Sequence, residues 1–395
     1  MSSIWILAGA LGVFALAYRY YSAFLAARVL MVDPKRETPA HRLHDGRDYV
    51  PTNRWVLFGH HFAAISGAGP LLGPVLATQF GYAPGALWII FGAVLAGAVH
   101  DFVTLFASVR HDGKSLSFIA RQNINRLSGA VASLAVLFII VTALAGLAIA
   151  VVKALAASPW GTFTIAATIP AALLVGLYLH VLRPGRVVEA SALAVGMADI
   201  FSKLPGMKSL LAYWYHYVVM FEALFILTAV DTGTRVARFI VQEAFFGKVA
   251  PGAARSKAVS WVVTVVASAI ACLAWGYLLY HNDISTIWPM FGVANQLLAA
   301  VALAIGTTLI LRTNRARYAL VTFLPLCFVL VTTLDAGWQN MMGYLAKGTA
   351  QDHLNLALTA AMTVMVIVIT ADAGRVWLRL LREKRSQPAE QPIEA

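Results

Sequence analysis

Apolar residues run along this chain in long blocks separated by short polar connections. A bilayer core is crossed by about 20 apolar helical residues. On that measure the blocks predict crossings, with loose edges, at 3–28, 55–80, 83–109, 128–152, 161–182, 188–206, 210–234, 258–280, 286–311, 317–340 and 354–378. The expected fold class is therefore an all-α polytopic membrane protein with about 11 transmembrane helices. The segment 188–206, "VEASALAVGMADIFSKLPG" with its surroundings, is short and carries Glu189 and Asp199, so it reads as a broken or re-entrant piece. The N-terminal stretch "SSIWILAGALGVFALAYRYYSAFLAARVL" has no basic n-region and no A-x-A cleavage site, and reads as a retained first crossing. We expect a single transmembrane domain over 1–380 and a polar, disordered cytoplasmic tail over 381–395. The longest connections, 29–54 and 235–257, are too short for a soluble domain.

Composition agrees with this pattern. The chain of 395 residues is 60% hydrophobic and 12% charged, with a mean hydropathy of +0.74; soluble proteins carry about twice that charge. The net charge of +12 does not point to nucleic acid, because topology explains where the basic residues fall. With the N-terminus outside, Lys35 to Arg54, Arg110 to Arg126, Arg183, Arg186, Arg235 to Lys257, Arg312 to Arg317 and the tail from Arg375 are cytoplasmic. The outer segments keep Lys153, Lys203, Lys208 and Lys347. This places the C-terminus in the cytoplasm and counts 188–206 as a crossing, since dropping it would invert everything downstream. Cys272 and Cys327 sit in apolar runs and offer neither a disulfide framework nor metal spacing. No Walker motif or nucleophile–base arrangement stands out, so neither an enzyme nor ATP-driven transport is expected, and no cofactor.

Ionisable groups at membrane depth cost about 2.5–3.5 kcal/mol on insertion scales and are functional candidates by default. They gather in four places. The first is "GHHFAAISGAGPLLGP" (59–74), where Gly59, Gly67, Gly69, Gly73, Pro70 and Pro74 would interrupt a helix. Broken helices expose half-helix ends that bind small ions and carboxylates. Adjacent His60 and His61 point to different faces and do not suit one shared ligand. The competing reading is a close-packing small-residue surface, which suits the glycines but not the prolines or histidines.

The second is "GAVLAGAVHDFVTLFASVR" (92–110). Gly92, Ala96, His100 and Thr104 recur every four residues as one close-packing stripe, and Asp101 follows Ala93 and Gly97 on another. His100 with Asp101 could relay protons, or Asp101 could be a structural partner of Arg110, two turns on. In the third, "AYWYHYVVMFEALFILTAVDTGTRVARF" (212–239), Tyr215 and Glu222 share a face, which suits a group that gains and loses a proton. Asp231 and Arg235 can form an i,i+4 ion pair. The "DTG" of this stretch lacks the second copy and β-rich context of an aspartic protease. In the fourth, "ISTIWPMFGVANQLLAA" (284–300), Pro289 and Gly292 loosen a crossing, and Asn295 and Gln296 either join helices or line a pathway.

These strings resemble the carbon starvation protein CstA family of bacterial transporters. The stretch from "GHHFAAISGAGPLLGPVLATQFGYAPGALWIIFGAVLAGAVHDF" onward is similar to its N-terminal signature. "LAVGMADIFSKLPGMKSLLAYWYHYVV", "TIWPMFGVANQLLAA" and "ARYALVTFLPL" are similar to its C-terminal half, so the resemblance runs from about residue 50 to 340. It implies an inner-membrane secondary transporter built on inverted repeats with broken helices, associated with peptide uptake during carbon starvation and, in a close subgroup, with proton-coupled pyruvate uptake. One departure stands out. The family pattern separates "RPGRVVEAS" (183–191) from "LAVGMA" (193–198) by a long central region containing a second broken segment, whereas here they nearly touch. The N-terminal signature then occupies 55–186 and the C-terminal half 193–340, with an internal shortening near 187–200 and an incomplete inverted repeat. A shortened member could act as a dimer, keep a reduced substrate site or be inactive.

The leading expectation is a proton-coupled symporter importing short peptides or small carboxylates such as pyruvate. Gly59, His60, His61, Ser66, Gly67, Gly69, Pro70, Asn295 and Gln296 would bind substrate, and His100, Asp101, Tyr215 and Glu222 would carry the coupling proton. Its partners would be substrate, protons, the lipid bilayer and a homo-oligomeric copy. The alternatives are a shortened, non-transporting assembly partner, and a membrane haem protein using His60, His61, His100 and His216.

Overall fold

The computed structural model describes residues 3–46, 49–65, 73, 81–156, 159–177, 211–245, 257–313 and 316–386. Among these residues the ordered elements are helices, as the sequence pattern predicts. Helix α1 (Ser3–Leu16) runs on through two π-helical turns to Val29. It is followed by α2 (Arg54–Ile65), α3 (Tyr82–Gly92), α4 (Ala98–Arg110), α5 (Leu116–Asn123), α6 (Arg126–Ala156) and α7 (Pro159–Leu177). The C-terminal half contributes α8 (Leu211–Phe245), α9 (Lys257–His281), α10 (Ile284–Arg312), α11 (Leu320–Lys347) and α12 (Ala350–Ser386).

Among the described residues, seven stretches are long and apolar enough to cross a membrane: Trp5–Val29, Tyr82–Arg110, Arg126–Lys153, Trp261–His281, Thr286–Arg312, Ala316–Lys347 and Ala350–Glu383. The expected crossings at 161–182 and 210–234 overlap α7 and α8, which are not among the seven. The expected crossing at 188–206, most of the second half of 55–80 and residues 387–395 of the expected tail lie outside the described residues, while 381–386 of that tail continue helix α12.

The helices are arranged around two of their number. Helix α10 packs against α4, α6, α11 and α12, and α6 packs in turn against α5, α8, α9 and α12. Burial covers 72% of the window in Thr286–Arg312 but only 6% of that in Trp5–Val29, so α10 is enclosed and α1 is peripheral. The sequence explains why α10 can be surrounded. Its run "ANQLLAAVALAIGTTL" mixes alanine with leucine and isoleucine on every face, the pattern of a helix buried all round. In lipid, where apolar contact alone does not drive association, small residues let backbones approach closely. Gly306 of α10 is one such place: a Cβ there would stand 2.6 Å from Val103 Cγ1 of α4. Gly146 of α6 is another, with Phe291 Cβ at 2.7 Å.

Two sequence expectations shift. Pro289, expected to loosen its crossing, leaves α10 continuous over 284–312, because the proline removes a single backbone bond near the helix start. The close-packing stripe of α3–α4 is Val99, Val103 and Ala107, not Gly92, Ala96, His100 and Thr104. A π-helical turn at Ala93–Gly97 changes the helical register, so a four-residue period does not carry through it.

A Gly306→Ala substitution should lower the thermal midpoint of the detergent-solubilised protein, by the equivalent of about 1–3 kcal/mol for overpacking. Gly276→Ala on α9, where a Cβ meets nothing within 4 Å, should leave it unchanged or slightly raised. Equal midpoints for the two variants would contradict the close α4–α10 contact.

Candidate functional site

The region that could handle protons begins on α4. His100 Nδ1 and Asp101 Oδ1 lie 3.0 Å apart, both half-buried at the start of the helix. Val99 and Val103, on either side of the pair in sequence, are fully buried and fix the orientation of α4 against α10. One turn on, the buried Thr104 Oγ1 has no hydrogen-bond partner among the described residues. Arg110 does not pair with Asp101. Its guanidinium lies over the Phe106 ring and donates to the Met31 carbonyl at 3.3 Å.

On α10, Gln296 Oε1 accepts from Thr333 Oγ1 of α11 at 2.7 Å, while the neighbouring Asn295 is exposed. Thr359 and Thr363 of α12 are buried, and their hydroxyls lack partners among the described residues. Thr363 Oγ1 lies 3.6 Å from where a Gly337 Cβ would stand, as does Val293 Cγ1. The Gln296–Thr333 bond sits about one turn along the same α10–α11 seam, counted at 3.6 residues per turn. The unpartnered hydroxyl of Thr363 thus lies about one turn from the Gln296–Thr333 bond.

Both ends of the bundle are clamped by polar bonds. At one end Asn355 Nδ2 donates to Asn282 Oδ1 at 2.6 Å, with both residues buried, and Tyr344 Oη donates to the Thr286 carbonyl at 3.0 Å. Thr349 and Asp352 cap α12 reciprocally: Asp352 N donates to Thr349 Oγ1, and Thr349 N to Asp352 Oδ2. At the other end Asp372 is only 6% exposed. It accepts from Asn125 Nδ2 at 3.0 Å, Ser128 Oγ at 2.8 Å and Arg375 Nη1 at 2.8 Å. Arg312 closes the end of α5 by donating twice to the Asn123 carbonyl, at 3.1 and 2.8 Å. Beside it, Arg42 pairs with Asp112, and Tyr49 Oη donates to the Asp112 carbonyl at 2.8 Å.

The sequence-predicted residues are only partly brought together. His60 and His61 are exposed on α2, Gly59 is half-buried, and α2 packs against α8, the helix that contains Tyr215 and Glu222. The side chains of those two residues, and Ser66, Gly67, Gly69 and Pro70 altogether, lie outside the described residues. His100 and Asp101 stand on α4, which packs against the α10 of Asn295 and Gln296. Asp231 and Arg235 lie 2.9 Å apart on the surface of α8. Sequence reasoning passed over Asp372, Asn355, Thr359 and Thr363, and also Asp335, exposed midway along α11 with its Oδ2 accepting from Gln339 Nε2 at 2.9 Å. The signal for Asp335 and Asp372 was available, since each is a lone carboxyl inside an apolar run.

Among the described residues, seven stretches able to cross a membrane, with the enclosed α10 as one of them, define an all-α polytopic membrane protein. The sequence model of the family described as "Carbon starvation protein CstA" matches residues 2–195 and 188–336, so the chain belongs to the CstA family. It is 31% identical to the peptide transporter CstA of Bacillus subtilis over 591 aligned positions, covering 97% of this chain and 98% of that protein. Against the peptide transporter CstA of Escherichia coli the identity is 29%, over 100% and 93% of the two chains. Against the pyruvate/proton symporter BtsT of Escherichia coli it is 28%, over 84% and 81%. No solved structure matches.

Replacing Asp372 by alanine removes the acceptor for Asn125 and Ser128 and should destabilise the protein by about 2–3 kcal/mol. Asp231→Ala breaks an exposed pair and should change stability by less than about 1 kcal/mol. Thermal unfolding of both variants in detergent checks the order, and an Asp372 variant as stable as wild type would contradict the clamp.

Proposed function

We propose that this chain is a proton-coupled secondary transporter that imports short peptides or small carboxylates such as pyruvate across the inner membrane during carbon starvation. The observation that carries the reading is the near full-length alignment with a protein named as a peptide transporter, joined by the alignment with one named as a pyruvate/proton symporter. The contact between an imidazole and a carboxyl on α4, a helix seated directly on the enclosed α10, supports a proton carrier there. Histidine titrates near physiological pH and can pass a proton to an adjacent carboxylate. The segment 59–74 would hold the substrate carboxylate through backbone N–H groups. Glu222 and Tyr215 would complete the relay from α8, with Asn295 and Gln296 lining the path. The basic residues at the ends of α4, α10 and α12 support a cytoplasmic C-terminus.

A second reading has its own observation. The family match falls into two stretches that meet at 188–195, and the Bacillus alignment of 591 positions is longer than the 395-residue chain. A large internal part of the relative thus has no counterpart here, which supports a shortened domain and, in its extreme form, a chain that no longer transports alone. The haem reading has no such observation behind it.

Uptake of labelled pyruvate and of a labelled dipeptide by intact cells lacking other carriers separates the two. Active transport predicts accumulation that a protonophore abolishes, and Asp101→Asn should retain binding while losing the dependence on the proton gradient. Background uptake by protein shown to be present in the membrane would favour the non-transporting reading. Full gradient dependence in Asp101→Asn would remove the α4 pair from the mechanism.

A further inference from the structure

The outward face of α11 repeats with a period of 3.5 residues. Leu324, Phe328, Val331, Asp335, Trp338, Met342 and Leu345 follow one another at alternating steps of four and three, and all are exposed, the apolar members by 40 to 68%. The opposite face, with Leu326, Thr333, Gly337 and Tyr344, is the one turned into the bundle. A strict 3.5-residue apolar repeat is the seam of two helices wound left-handedly about each other, a common geometry within membranes. At one end of the stripe Leu324 and Phe328 line an apolar cavity of about 620 Å³ with Trp88, Phe91 and Leu95. From Val331 to Leu345 the stripe is exposed among the described residues.

What distinguishes this face is the carboxyl at its centre. Asp335 sits about midway along the crossing, and among the described residues its partner is Gln339 on the same exposed face, with no cation in ion-pair contact. Hydrocarbon is a poor cover for such a group. The exposed face of α9, by contrast, shows no charged residue from Trp261 to Tyr280 and suits lipid. An unrelated apolar helix would cover the Asp335 stripe but leave the carboxyl without a polar counterpart.

We propose that the Val331–Leu345 face of α11 is the interface between two copies of this chain, packed about a two-fold axis with their Asp335 carboxyls opposed. A two-fold contact is self-complementary, so the polar position of one seam meets that of the other. With one proton held between them, one carboxyl donates to its counterpart while each Gln339 amide donates to its own. A single polar residue in an otherwise apolar seam also fixes register and number of strands. The pairing is independent of which substrate the chain carries.

The test uses the full chain in native membranes, with Cys272 and Cys327 replaced by serine so that an introduced cysteine is the sole thiol. Oxidation should convert Val331→Cys to a disulfide-linked dimer, while Leu273→Cys on the exposed face of α9 stays monomeric. Adding Asp335→Asn to the Val331→Cys chain should preserve the crosslink, because amides also bond across the axis. Adding Asp335→Lys should reduce it several-fold by opposing two cations. A Val331→Cys chain that stays monomeric overturns the proposal: labelling by a lipid-soluble maleimide would then assign the face to lipid, and protection from it would assign the face to another part of the same chain. A crosslink undiminished by Asp335→Lys would overturn the role given to the carboxyl.

Discussion

The enclosure of α10 by its neighbours is the constraint on which the rest of the structure depends. A helix inside a bilayer gains little from hiding apolar surface, because lipid is as apolar as leucine. It must be held by close contact and by polar bonds that have no alternative partner in hydrocarbon. Helix α10 meets the first condition through Gly306 against Val103 and through Phe291 against Gly146. It meets the second through Gln296 bonded to Thr333 and through Thr308 Oγ1, which accepts from Trp377 Nε1 at 2.8 Å. The α4 helix inherits its position from this arrangement, and with it the His100–Asp101 pair.

Polar groups are distributed unevenly along the bundle. At the ends they are satisfied: Asn282 with Asn355, Asp352 with Thr349, and Asp372 with Asn125 and Ser128. Between the ends, the hydroxyls of Thr359 and Thr363, and nearer one end that of Thr104, are buried without partners among the described residues. A purely structural bundle would leave few such groups, since each costs about 1–3 kcal/mol when unpaired. A bundle through which a polar solute or proton passes needs them. The mid-depth hydroxyls and the α4 pair thus belong to one reading, the transporter reading that the relatives' names also favour.

The helical class and most crossings were legible in the sequence because hydropathy over some twenty residues reports lipid contact directly. Local backbone events were not. The stripe through His100 was misplaced by the π-helical turn at Ala93–Gly97, which the run "FGAVLAGAVHD" does not announce. Pro289 was expected to loosen its crossing, yet α10 is continuous through it, since tertiary contacts on all sides outweigh one missing backbone bond. The pairing of His100 with Asp101 could be read from adjacency, whereas the bond from Asn125 to Asp372 spans most of the chain and needed the fold. The same holds for Gln296, whose partner Thr333 lies on the next helix.

The most direct measurement of the central claim uses purified protein in liposomes loaded with a pH-sensitive dye. Pyruvate or a dipeptide is added outside, with no preset proton gradient and with the membrane potential clamped by valinomycin and potassium. Proton-coupled import predicts prompt acidification of the lumen on substrate addition, with labelled substrate entering on the same time course. Entry of label without acidification would contradict the coupling. A lumen that neither acidifies nor takes up label would contradict transport by this chain itself.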